Sequence, residues 1–274
     1  MVHTGSRDME FGILGPLSLI DSDGRSCAPG ALKLKILLAN FLVRPNRTMS
    51  THQLIEEIWG GFPPRTATTA LQVYISNIRK ILGEGGSRTE QSSILTRPPG
   101  YVFELAGHGS DLHRFEQERD EAGRLEAAGD TEGAARLLRT ALRRWRGRAL
   151  ADVRCTPRLT AAARRLDELY IASYEKSIEL ELMMGRDAEL VGELYALAGE
   201  YPSRERVHEF LMVALYNTGR PGEALQAYMS IRNALSEQSG LAPSHRLRGL
   251  QQAILSRSID VLSIRPQSPM RSIA

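Results

Sequence analysis

The sequence predicts a mainly helical chain with a small β component, built in two parts. Three observations predict it. Up to about residue 106, short apolar runs bounded by turn residues are interleaved with helical stripes. From about residue 110 the pattern is helix after helix with no strand signal. Within that second part, Gly185-Arg186-Asp187-Ala188-Glu189-Leu190 recurs as Gly219-Arg220-Pro221-Gly222-Glu223-Ala224, an offset of 34 residues. That offset is the period of tetratricopeptide helix pairs, which bury their apolar faces by stacking.

The elements follow in order. Glu10–Leu14 and Leu17–Ile20 read as short strands parted by Gly15-Pro16, and Arg25–Ala28 pairs back after the turn Asp21-Ser22-Asp23-Gly24. Residues 31–43 carry one apolar stripe (Leu32, Ile36, Leu37, Phe41, Leu42) and predict a helix that Pro45-Asn46 ends. Ser50 is a fitting N-cap for a second helix, Thr51–Trp59. The loop Gly60-Gly61-Phe62-Pro63-Pro64-Arg65 leads to a third helix over residues 66–82. Gly83–Ser93 reads as a polar linker. Ile94–Thr96 and Tyr101–Leu105 form a hairpin around Arg97-Pro98-Pro99-Gly100. Helix, connection, helix, then hairpin is a helix-turn-helix element with a wing. Gly107-His108-Gly109 reads as a linker. Helices are then expected over 111–128, 131–145, 158–184, 187–200, 204–218, 221–238 and 244–258, with glycines 129, 185, 219 and 240 at their ends. The expected boundaries are 9–106 and 110–262, with tails at 1–8, an upstream extension or cloning remnant, and at 265–274.

The 274 residues are 42% hydrophobic and 24% charged, the balance of a chain that buries a core. No run of 18 apolar residues is present and Met1–Asp8 is polar, so neither a membrane helix nor a secretory signal is expected, and the cytoplasm is the expected location. Cys27 and Cys155 stand far apart, and no Cys/His cluster has zinc-ligand spacing. No cofactor is expected. HExxH, GxGxxG and a Ser/His/Asp arrangement are missing, and Gly83-Glu84-Gly85-Gly86 follows a helix instead of opening one, which argues against an enzyme. Net charge is only +3, and residues 1–106 hold 11 Lys and Arg against 9 Asp and Glu. Bulk charge therefore does not point to nucleic acid, and charge placement must decide.

Placement points to the third helix. At about 100° per residue, Leu71, Tyr74, Ile75, Ile78 and Leu82 share one face. Opposite or flanking it stand Thr66, Thr69, Gln72, Val73, Ser76, Asn77, Arg79 and Lys80, with no acid among them. Carboxylates would be repelled by phosphates, whereas short donors, acceptors and cations suit base edges and backbone. Arg97 at the hairpin turn suits a narrow minor groove, and Tyr101, Lys33, Lys35 and Arg65 are phosphate candidates. An ordinary amphipathic helix followed by an ordinary hairpin is the competing reading.

Leu54-Ile55-Glu56-Glu57-Ile58-Trp59-Gly60, Pro63-Pro64, Ala70 through Leu82 and Thr96-Arg97-Pro98-Pro99-Gly100-Tyr101 together resemble the Streptomyces antibiotic regulatory protein family, whose N-terminal part is an OmpR-type winged helix. Ala141 through Val153 and Leu211 through Arg220 resemble its bacterial transcriptional activator domain. The resemblance covers roughly residues 9–260. It implies an activator that binds direct repeats near a promoter's −35 element as a side-by-side homodimer. It also implies contact with RNA polymerase, including its sigma factor, through Gly60, Gly61, Phe62, Pro63 and Pro64, and an antibiotic biosynthetic cluster as target. Ser76 and Asn77 stand where many OmpR-type helices carry arginine, and neither a receiver domain nor a fused ATPase is expected. A ligand-responsive repressor or sensor on the same architecture is the alternative.

Overall fold

The computed structural model describes residues 9–83, 93–105 and 108–256. Its elements run β1 (Glu10–Gly12), β2 (Ser18–Ile20), α1 (Leu32–Val43), β3 (Met49–Ser50), α2 (Thr51–Trp59), α3 (Ala67–Ile81), β4 (Ile94–Arg97), β5 (Gly100–Phe103) and β6 (Gly109–Ser110). Seven helices follow: α4 (Asp111–Ala127), α5 (Thr131–Leu142), α6 (Pro157–Met183), α7 (Asp187–Glu200), α8 (Glu205–Asn217), α9 (Pro221–Ser239) and α10 (His245–Ser256). The fold is that of a winged helix followed by a helical-repeat domain. The expected tails and most of the Gly83–Ser93 linker lie outside the described residues.

The chain forms two compact units. The first comprises residues 9–119 together with Thr140–Ile171. It holds two small sheets. In one, β1 pairs antiparallel with β2 and parallel with β6. In the other, β5 is central, flanked by β3 and β4, both antiparallel to it. Phe11, Phe41 and Phe103 meet in the core, Phe11 edge-on to Phe103 with ring centroids 5.2 Å apart. Arg25–Ala28 does pair back, through a bridge between Ile20 and Ser26 and a bond from Cys27 N to Leu19 O.

The expected Gly107–Gly109 linker is corrected over its described residues. Gly109 belongs to β6, its N–H donating to Met9 O at 2.9 Å, while His108 Nδ1 accepts from Met9 N. The backbone at the chain's start has unpaired groups, and a strand formed nearly a hundred residues later satisfies them. The same demand explains why residues beyond 140 join this unit. Arg146 N donates to Leu14 O, Leu150 N to Ile13 O, and Leu17 N to Asp152 Oδ1. The Asp111 carboxylate accepts from both Ile13 N and Leu14 N, each at 3.0 Å.

The second unit comprises Asp120–Arg139 and residues 172–256. One turn recurs in it. Gly129, Gly185 and Gly219 each adopt a left-handed backbone, with φ of 88°, 76° and 77°. After each, the next N–H bonds a carbonyl five residues back: Asp130 to Leu125, Arg186 to Glu181, Arg220 to Leu215. This is the Schellman closure, which glycine reaches without a Cβ clash. Its recurrence gives the 34-residue repeat a physical content. The turns join α4 to α5, α6 to α7 and α8 to α9, three helix pairs of one kind.

Candidate nucleic-acid interface

α3 owes its orientation to one apolar stripe. Leu71, Ile75, Ile78 and Leu82 are all buried, and Tyr74 is half-buried, stacked on Trp59 of α2 at 5.8 Å. α2 is held at its start by a capping box: Gln53 N donates to Ser50 Oγ, and Ser50 N to Gln53 Oε1. The two helices are thus fixed to each other before any ligand arrives.

The opposite side of α3 is open. Thr66, Thr69, Gln72, Val73, Ser76 and Lys80 are exposed and Asn77 is half-exposed. Val73, a β-branched aliphatic, keeps 52% of its surface in water. The first turn of α3 holds no acid and no side chain caps it, and Ala67 N donates to Pro64 O, so the positive end of the helix dipole meets no carboxylate. Arg65, just before the helix, is exposed, and among the described residues neither Arg65 nor Lys80 has a charged partner.

Two predicted cations have other work. The Arg79 guanidinium donates to Ile94 O twice, at 3.1 and 2.7 Å, and to Thr96 Oγ1 at 3.3 Å. It joins α3 to β4, so in the free protein it positions the wing against the helix. Lys35 Nζ pairs with Asp152 Oδ2 at 2.7 Å, both three-quarters buried. The hydrogen bond and charge from Lys35 help hold the Asp152 carboxyl below its usual pKa against the effect of burial. In the free protein Lys35 is therefore held by an internal ion pair. Lys33 lies over the Trp59 ring, 5.0 Å from its centroid, and remains exposed.

The wing is a tight antiparallel ribbon in which Arg97 pairs with Gly100 at the turn. A Cβ at Gly100 would sit 1.9 Å from Met49 O, so only glycine lets β5 approach β3 this closely. Pro99 O accepts from Thr51 N and Thr51 Oγ1, both at 3.2 Å, which ties the turn to the start of α2. Tyr101 is half-buried, opposite both Thr96 and Met49. Arg97 is exposed and pairs with Glu104. Between α2 and α3, Gly60, Gly61, Phe62, Pro63 and Pro64 are all exposed, and Phe62 shows 95% of its surface.

Sequence reasoning missed the support of this site. Thr156 donates to Glu57 Oε2 of α2 at 2.5 Å, a contact from 99 residues away. Among the described residues no cluster of three or more metal-ligating side chains occurs, and no helix is long and apolar enough to cross a membrane.

A winged helix whose recognition helix is acid-free and outward-facing, in a chain that continues into helical repeats, defines a DNA-binding transcription regulator. Comparison with known proteins places it further. Residues 33–103 match the family "Transcriptional regulatory protein, C terminal" and residues 110–255 match "Bacterial transcriptional activator domain". The chain is 33% identical over 251 residues to the regulatory protein DnrI of Streptomyces peucetius, covering 90% of this chain and 92% of DnrI. It is 34% identical to the transcriptional regulator RedD of Streptomyces coelicolor, covering 91% of this chain and 71% of RedD. Against the transcriptional regulatory protein EmbR of Mycobacterium tuberculosis it is 34% identical over 92% of this chain, and it spans 64% of EmbR's length. The solved structure of EmbR with a low-affinity phosphopeptide superposes with a TM-score of 0.84, covering 92% of this chain and 66% of that one. The chain belongs to the Streptomyces antibiotic regulatory protein family of transcriptional regulators.

Proposed function

We propose that the chain activates transcription by binding direct repeats near a promoter's −35 element and holding RNA polymerase there. Two copies lie side by side on the DNA, one per repeat. The outward face of α3 enters the major groove: Gln72 and Asn77 pair with base edges, Thr69 and Val73 meet thymine methyl groups, and Thr66, Ser76, Lys80 and Arg65 complete the face. Arg97 reaches the minor groove, while Tyr101 and Lys33 face phosphates. The domain boundaries that go with this reading are 9–106 for DNA binding and 110–262 for activation. The relatives DnrI and RedD support an antibiotic biosynthetic cluster as the target.

One observation carries the reading: a helix with one buried stripe presents an entirely acid-free opposite face, with an uncapped, acid-free first turn. The loop beside it supports the contact with polymerase and its sigma factor. A phenylalanine exposed to 95% between two glycines and two prolines is costly to leave in water, and a partner's apolar surface would cover it. Roughly 1.4 kcal/mol of such contact raises promoter occupancy about tenfold. The test is transcription in vitro with purified polymerase holoenzyme. Phe62→Ala is expected to leave DNA affinity unchanged and to lower activated transcription several-fold. Equal transcription by Phe62→Ala and wild type would contradict the assignment of the loop.

A further inference from the structure

We propose that Glu104 sets the DNA affinity of the wing by holding Arg97 in an ion pair that DNA must break. The proposal rests on the reading of Arg97 as a minor-groove side chain. Arg97 ends β4 at the hairpin turn, opposite Gly100. Its guanidinium does not extend beyond that turn. Nη2 donates to Glu104 Oε1 at 2.8 Å. Glu104 directly follows Phe103, which pairs with Ile94, so it stands at the far end of the ribbon. Arg97 is therefore folded back toward the base of the wing.

The register makes this possible. Alternation along the strands puts Leu95 and Arg97 on one face, with Gly100, Val102 and Glu104 on the same face across from them. Gly100 has no side chain to block the path. The side chains of Arg97 and Glu104 keep 58% and 34% exposure, so the pair can open to solvent. Among the described residues, Arg97 has no other carboxylate partner and Glu104 no other cation. Glu104 N also donates to Ser93 O at 2.7 Å, a backbone bond that fixes the carboxylate's origin whether or not the ion pair forms.

Two consequences follow for DNA binding. Arg97 must exchange a carboxylate for phosphates, and an exposed pair of this kind opposes that by up to about fivefold. The released carboxylate stays at the base of the wing, where its charge opposes the phosphates only at longer range and most strongly at low salt. Glu104 thereby weakens binding to all sequences, and it favours sites whose minor groove is narrow and negative enough to draw Arg97 away.

The experiment uses the full chain and a duplex enriched from a random library by the protein itself. Fluorescence anisotropy is read over a series of salt concentrations for wild type, Glu104→Gln, Arg97→Ala and the double variant. Glu104→Gln is expected to bind about three- to tenfold more tightly at low salt, with a steeper log–log salt slope. Arg97→Ala binds more weakly, and in its background Glu104→Gln loses most of its gain. Wild-type or weaker affinity for Glu104→Gln, with Arg97→Ala impaired, would overturn the latch and leave Arg97 as a DNA contact. An undiminished gain in the double variant would reduce Glu104 to simple repulsion and also overturn the latch. Wild-type affinity and slope for Arg97→Ala would instead remove the reading on which the proposal stands.

Discussion

α3 and α6 treat charge in opposite ways. On α6, Glu175, Glu179 and Glu181 are buried, and each has a cation brought to it from another helix or turn. Arg204 Nε lies 2.8 Å from Glu175, Arg206 Nη2 2.9 Å from Glu179, and Arg139 Nε 2.6 Å from Glu181. Burial works against the Arg139 charge, and its hydrogen bonds to Glu181 and Glu193 outweigh that, raising its pKa above the usual value. α3 keeps its polar and basic groups outside, with Lys80 unpaired among the described residues and Arg79 alone turned inward to the wing. Charges that face each other within a unit fix its shape. Charges left facing water are available to a partner.

That contrast can be broken from either side. The largest effect belongs to the buried stripe. Leu71 is fully buried, and Leu71→Ala is expected to cost about 3 kcal/mol in urea unfolding through lost burial and a residual cavity. A cost below about 1 kcal/mol would mean that α3 is not anchored by that stripe. Next comes the α6 ladder. Glu179→Gln leaves Arg206 with a neutral partner while Lys176 keeps Glu126, and both cations are about a third exposed, so the expected cost is about 1–3 kcal/mol, short of a fully buried pair. No loss of stability would show that the ladder follows the fold without supporting it.

The smallest effect is one of pH. His208 on α8 is 3% exposed, and neither ring nitrogen makes a well-formed hydrogen bond. Burial lowers its pKa, with only partial relief from the backbone of Ala227 and Pro202. The unfolded chain then binds a proton near pH 6.5 that the folded chain refuses, so stability falls as pH drops below about 6.5. Glu209 beside it has a raised pKa, chiefly from burial, against the pull of Arg246. Its contribution has the opposite sign: it is present in acid and is lost as pH rises above about 4.5. His208→Leu is expected to flatten the loss between about pH 6.5 and 5.5 and to leave the Glu209 component in place. An unchanged profile would place the acid sensitivity elsewhere.

The helices were legible because their signals are local. The stripe of α3, the Ser50 cap and the recurring glycines each act within one or two turns of chain. β3 and β6 were not legible. Each is two residues long and exists because a distant strand offers it bonds, and nothing in Met49-Ser50 or Gly109-Ser110 alone announces pairing. The placement of residues beyond 140 in the first unit was hidden for the same reason: Leu150 and Asp152 serve backbone groups of Ile13 and Leu17. On a helical wheel Arg79 and Lys35 look like surface cations. Their partners, a strand carbonyl and an aspartate 117 residues away, are tertiary facts. The open face of α3 was legible because an absence of acids can be read directly from the sequence; in the structure that face is exposed, with Arg79 bonded to β4 and Asn77 half-exposed.

The most direct test places an acid on that face. Ser76 is exposed, so Ser76→Glu is expected to leave the melting temperature within a degree or two of wild type. Its affinity for the selected duplex, measured by anisotropy, is expected to fall at least tenfold, because a carboxylate would enter the groove beside phosphates and base acceptors. Wild-type affinity in a normally folded Ser76→Glu variant would contradict the claim that this side of α3 meets DNA.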